Sequence, residues 1–103
     1  MLKNVTSETF TNEVLQAEGP TLVDFYADWC GPCKAQGEIL ESVDATASDS
    51  VSIVKVNIDR DVELARNYGV RSIPTLILFK DGEPVSTRVG LSSAADLQTL
   101  IKD

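Results

Sequence analysis

Residues 21 to 27, Thr-Leu-Val-Asp-Phe-Tyr-Ala, form an almost unbroken apolar and β-prone run. A strand that is apolar on both alternating faces has to be covered on both. That requirement places it inside a sheet with helices above and below. Gly19-Pro20 stops the segment before it, and from Pro32 to about Ala47 the pattern turns helical, with Ile39, Leu40, Val43 and Ala47 on one side.

The remaining elements follow from this centre. Residues 2 to 5 are a short apolar–polar stretch, and Thr6-Ser7 supplies N-caps for a helix that carries Phe10, Val14 and Leu15 through about Ala17. Val51 to Ile58 reads as a strand. Asp61 to Tyr68 reads as a short helix with acidic residues at its positive end and Gly69 as C-cap. Thr75 to Lys80 is a strand, Asp81-Gly82 a hairpin turn, and Val85 to Val89 the returning strand. Ser92 or Ser93 caps a last helix with Leu97, Leu100 and Ile101 inward, and Asp96 is placed to complete a capping box with Ser93. The order βαβαβαββα predicts an α/β fold: a five-stranded sheet with four helices, parallel where strand and helix alternate, the hairpin adding an antiparallel edge.

At 103 residues, 43% of them hydrophobic, the chain is expected to be one domain, residues 1–103, without linker or repeat. Met1-Leu2-Lys3-Asn4 lacks the apolar run of a secretory signal. The longest apolar stretch, Leu76 to Phe79, falls far short of the ~20 residues that span a bilayer. The expectation is a soluble, cytoplasmic protein with no membrane partner, acting as a monomer. Histidine is absent and there are two cysteines, so no metal is expected; a zinc site takes about four ligands. A net charge of −7, from 16 acidic and 9 basic residues, repels phosphate backbones and argues against nucleic acid. The same acidity serves either solubility or steering toward basic partners, and composition leaves both open.

Both cysteines stand in Trp29-Cys30-Gly31-Pro32-Cys33-Lys34, between the central strand and the helix that follows. Open α/β sheets place their chemistry at that edge. Disulfide exchange needs a thiolate to attack and a second thiol to resolve the mixed disulfide. Cys30 lies just before the first helical turn, where unpaired N–H groups and the helix dipole favour an anion. It is assigned as the exposed nucleophile, and Cys33, one turn on, as the buried resolving thiol. Pro32 suits that turn because its missing N–H has no helical partner there. A static buried pair is the competing reading, and the Gly31-Pro32 spacer fits it poorly.

Asp24 interrupts Leu22-Val23 and Phe25-Tyr26. Burial there raises a carboxyl pKa, which suits Asp24 to take the Cys33 proton directly or through one water. The alternative is a structural pair with Lys55 on the neighbouring strand. The ordinary preference of X-Pro bonds for trans makes Pro74, after Ile73, a plain residue at the start of a strand. Trp29 is either an exposed aromatic that meets a protein substrate or a partly packed cap.

Asp24-Phe25-Tyr26-Ala27-Asp28-Trp29-Cys30-Gly31-Pro32-Cys33-Lys34, then Val56-Asn57-Ile58-Asp59, Tyr68-Gly69-Val70-Arg71-Ser72-Ile73-Pro74-Thr75 and Phe79-Lys80-Asp81-Gly82 together resemble the thioredoxin family, in order and over essentially the whole chain. The resemblance implies the thioredoxin fold, a central mixed five-stranded sheet flanked by four helices. It implies a general protein-disulfide reductase that binds no cofactor and is recharged by a thioredoxin reductase drawing on NADPH through FAD. It also implies a cis Pro74 beside the cysteines, with an extended substrate segment pairing near Ile73. By the same analogy Trp29, Ile73, Pro74, Val89, Gly90 and Leu91 face the substrate, and Asp24 and Lys55 match the family's buried acid and its lysine neighbour.

The segment after Lys34 departs from that pattern. The family usually carries bulkier apolar residues and then a proline that kinks the helix; here it is Ala35-Gln36-Gly37-Glu38, with Glu38 at the proline's place. Losing proline restores a backbone hydrogen bond, whereas Gly37 costs ~1 kcal/mol relative to alanine. Ser72 stands where glycine is frequent. A second class of function, a binding module whose cysteines are incidental, is separated from the first by whether partner capture survives loss of both thiols.

Overall fold

The computed structural model describes residues 2–46 and 51–102. Five strands, β1 (Lys3–Asn4), β2 (Thr21–Tyr26), β3 (Ser52–Asn57), β4 (Thr75–Lys80) and β5 (Glu83–Val89), form one sheet in the order β1-β3-β2-β4-β5. Three α-helices, α1 (Gly31–Thr46), α2 (Val62–Asn67) and α3 (Ala94–Lys102), and a π-helical turn at Thr11–Leu15 flank it. This is the mixed five-stranded sheet with four helical segments that the sequence leads one to expect. Ala47, assigned to the inner face of the long helix, and the terminal residues Met1 and Asp103 of the domain lie outside the described residues.

The central strand is covered on both faces. Val23 and Phe25 of β2 pack with Phe10, Val14, Leu64 and Ala65 on one side. Leu22 packs with Leu40, Val43, Leu97 and Leu100 under α1 and α3 on the other. Phe25 and Phe79 are wholly buried, each contributing about 2–3 kcal/mol through apolar area removed from water.

Antiparallel pairing is not confined to the edge hairpin. β2 is parallel to β3, but β4 runs antiparallel to β2, with Thr75 opposite Phe25 and Phe79 opposite Thr21. The connection from β3, residues 58–74 with the short α2 inside it, stays at the end of the sheet where β3 stopped, and β4 starts there. α2 closes with a Schellman motif: Gly69 at φ +69° donates its N–H to Arg66 O at 3.1 Å, and Val70 donates to Ala65 O at 2.9 Å.

The first helix differs from expectation. Phe10 N–H donates to Thr6 O at 2.9 Å, but the turn then widens so that Gln16 N–H reaches Thr11 O at 2.8 Å. Thr9, Thr11 and Val14 are β-branched and weaken a regular α-helix here, while Phe10 and Val14 remain buried. At the other end of the sheet the Asp81-Gly82 turn joins β4 to β5 with both residues at positive φ, +52° and +81°. Ser93 Oγ accepts the Asp96 N–H at 3.1 Å and caps α3.

Candidate active site

Cys30 ends the loop after β2 and opens α1. Its carbonyl accepts the first helical bond, from Lys34 N–H at 3.3 Å, and its Sγ takes the place of a capping oxygen, accepting from Cys33 N–H at 3.2 Å. The two cysteines are joined as a disulfide with Cα atoms 5.2 Å apart. Cys30 Sγ also lies 4.0 Å from the Ile73 carbonyl oxygen, and the Ile73–Pro74 peptide is cis.

The expected exposure of Cys30 is not found in this oxidised form. Cys30 is 5% exposed and Cys33 4%, because Ala27, Tyr26, Ile58 and Ile73 pack around the pair. The asymmetry between the sulfurs lies in their surroundings instead: Cys30 Sγ receives the backbone N–H and faces the Ile73 carbonyl. Gly31 and Pro32 between them are exposed.

Asp24 is 0% exposed, and neither carboxylate oxygen has a hydrogen-bond partner. It shares with Leu22 the face of β2 that α1 covers. Burial pushes its carboxyl up to about 7 from 3.8, partly offset by the positive charge of Lys55. Lys55 sits beside Asp24 in the β2–β3 register but makes no ion pair with it. Its Nζ lies 4.2 Å from the centroid of the Tyr26 ring, so it acts on the acid through space. An open cavity of about 500 Å³ is lined among others by Ala27, Cys33, Gly37, Glu38 and Lys55.

Of the residues expected to face a substrate, Ile73 packs against the cysteine pair and Trp29 directly precedes Cys30. Trp29 is 71% exposed and tethered, its indole N–H donating to Asp59 at 2.8 Å, so it is the exposed aromatic and not a packed cap. Val89 pairs with Thr75, and Gly90 N–H donates to Pro74 O at 2.9 Å, which brings Val89, Gly90 and Leu91 beside the half-buried Ile73 and buried Pro74. Val89 and Leu91 are exposed.

A family model described as Thioredoxin matches residues 1–103. The chain belongs to the thioredoxin family. It is 44% identical over 97 residues to a thioredoxin of Rickettsia prowazekii (strain Madrid E), covering 94% of this chain and 92% of that protein. It is 44% identical over 98 residues to a Pseudomonas aeruginosa thioredoxin (95% and 91%), and 50% identical over 86 residues to thioredoxin 1 of Synechococcus elongatus (84% and 80%). The chain is thus a protein-disulfide oxidoreductase, and its Cys30–Cys33 pair works by dithiol–disulfide exchange.

Against that thioredoxin background two features of α1 stand out. The helix is unbroken from Gly31 to Thr46, so Glu38, in the place of the family's proline, sits on the exposed side of an uninterrupted helix. Gln36, which sequence reasoning passed over, is 0% exposed and hydrogen-bonded to the Ser92 backbone. The signal for it was its spacing. Cys33, Gln36, Leu40 and Val43 form one inward stripe at steps of three and four. Among the described residues no cluster of His, Cys, Asp or Glu is arranged to hold a metal, and no helix is long and apolar enough to cross a membrane.

Proposed function

We propose that this chain is a general protein-disulfide reductase, with Cys30 attacking, Cys33 resolving and Asp24 carrying the proton. In the reduced protein the Cys30 thiolate attacks one sulfur of a substrate disulfide. A Cys30–substrate bond forms and the other substrate sulfur leaves as a thiolate. Cys33 then gives its proton to Asp24, directly or through one water, and attacks Cys30 Sγ. The second substrate thiolate is released and the Cys30–Cys33 disulfide closes. Two electrons and, after protonation of the leaving thiolates, two protons pass to the substrate. A thioredoxin reductase, using NADPH through its own FAD, returns the pair to the dithiol; this chain binds no cofactor. The protein acts as a cytoplasmic monomer.

The observation that carries the assignment is the Cys33 N–H directed at Cys30 Sγ at the opening of α1. An amide donor and a helix N-terminus both lower a thiol's pKa and hold it as the nucleophile. Dithiothreitol-driven insulin reduction is accelerated by the wild type and not by Cys30→Ser. The Cys33→Ser protein accumulates mixed disulfides through Cys30. Trapping through Cys33 in the Cys30→Ser protein, with none through Cys30 in the Cys33→Ser protein, reverses the roles. Reduction by NADPH with a purified flavin reductase, set against a ferredoxin-linked one, tests the recycling partner.

A further inference from the structure

We propose that Gln36 is a positioning residue for protein substrates, fastening the Gly90–Leu91–Ser92 turn to the helix that carries the dithiol. The proposal rests on the reading of that turn as substrate-facing. A buried primary amide requires matched donors and acceptors. Gln36 meets the requirement with one residue of backbone: its Nε2–H donates to Ser92 O at 3.1 Å, and Ser92 N–H donates to its Oε1 at 2.8 Å. The reciprocal pair works in one amide orientation only, since exchanging O and N would set donor against donor and acceptor against acceptor.

The same turn is fastened a second time, by the bond from Gly90 N–H to Pro74 O at 2.9 Å. Leu91 stands between the two fastenings and is 55% exposed. An apolar side chain is therefore held out to solvent, with one neighbour tied to Pro74 and the other to α1, three residues after Cys33. Three segments acquire a fixed mutual geometry in this way: the start of α1, Ile73–Pro74 and the Leu91 turn. Fixing a binding surface in advance lowers the ordering cost of association. Where a turn is competent for only a fraction of the time, apparent affinity falls by that fraction. A protein segment laid across Pro74 and Leu91 depends on this geometry, whereas a small disulfide that touches only the sulfurs does not.

Two variants test the clamp. Gln36→Leu removes both bonds and keeps an apolar filler, and Gln36→Glu, assayed at a pH where its buried carboxyl is ionised, keeps an acceptor for Ser92 N–H but loses the donor. Each is compared with wild type in steady-state reduction of insulin and of a small aromatic disulfide. The KM for insulin is expected to rise roughly three- to tenfold, the range set by one or two lost hydrogen bonds, more in the leucine variant. The kcat for insulin and the rate with the small disulfide stay at wild-type values. Parallel losses on both substrates, or an unchanged insulin KM, overturn the proposal. Amide exchange in the wild type is a check that requires no variant. Ser92 N–H is expected to exchange slowly, and exchange at the rate of an unstructured amide refutes the clamp. A wild-type protein that fails to reduce insulin counts instead against the reductase reading, and Ser92 exchange then judges the clamp alone.

Discussion

Replacing Asp24 by asparagine should make the protein more stable, and by an amount that depends on pH. The folded protein holds the Asp24 carboxyl at about 7, against 3.8 for the ordinary acid. Between those values the unfolded chain has released its proton while the folded chain keeps it. Unfolding free energy then falls by about 1.36 kcal/mol per pH unit. The contribution is fully present below 3.8 and is lost as pH rises through about 7, a total of about 4 kcal/mol from (7 − 3.8) units. Asparagine resembles the protonated acid in shape and polarity, so the two proteins should be close in stability at about pH 4. They should differ by several kcal/mol at about pH 8, asparagine being the more stable. Urea unfolding of the oxidised proteins across that range measures the difference directly. A gap that stays constant with pH would refute the claim that burial keeps Asp24 protonated. In the same variant, resolution of the mixed disulfide should slow more than the initial attack by Cys30. Equal slowing of both steps removes the proton-transfer role.

Two further outcomes bear on separate parts of the structure. Lys55→Met removes the positive charge that opposes the effect of burial on Asp24, so the Asp24 carboxyl should titrate higher than in the wild type. Carboxyl carbon NMR reads this, and an unmoved titration shows that Lys55 has no hold on the acid. Gly82→Ala should cost about 2 kcal/mol, through a left-handed residue and a Cβ placed 3.0 Å from the Leu15 carbonyl oxygen. The denaturation midpoint should fall with its slope unchanged, and a loss under about 0.5 kcal/mol contradicts the stated contact.

The elements legible in the sequence were those bounded by strong local chemistry. Thr75–Lys80 is flanked by Pro74 and by the Asp81-Gly82 turn, and it forms over those same residues. The strand at Thr21 could be placed at the centre because no face of it was polar apart from Asp24. What escaped depended on distance and length. The direction of β4 depends on which end of the sheet the 58–74 connection reaches, which periodicity does not report. The turn at Thr11 widened where β-branched residues weaken an α-helix, in a segment that caps and apolar spacing alone predicted to be regular. The position of Cys30 just before the first helical turn predicts an exposed thiol, yet Ile58 and Ile73 arrive from distant segments to cover it. Gln36 escaped because a glutamine in a helix is usually solvated, and only its partner fifty-six residues away makes its burial tolerable.

The end of the sheet at which β4 starts matters beyond the direction of one strand. Because β4 begins where β3 ends, its first residue, Thr75, lies opposite Phe25, and the cis Ile73–Pro74 segment falls against the sulfurs. With β4 parallel to β2, the same residue would open the strand at the far end of the sheet, roughly 17 Å away for a strand of this length. The dithiol would then lack the Ile73 carbonyl beside Cys30 and the Pro74 carbonyl that holds Gly90. The path of the connection from β3 to β4 thus sets which loops become neighbours at the sulfurs.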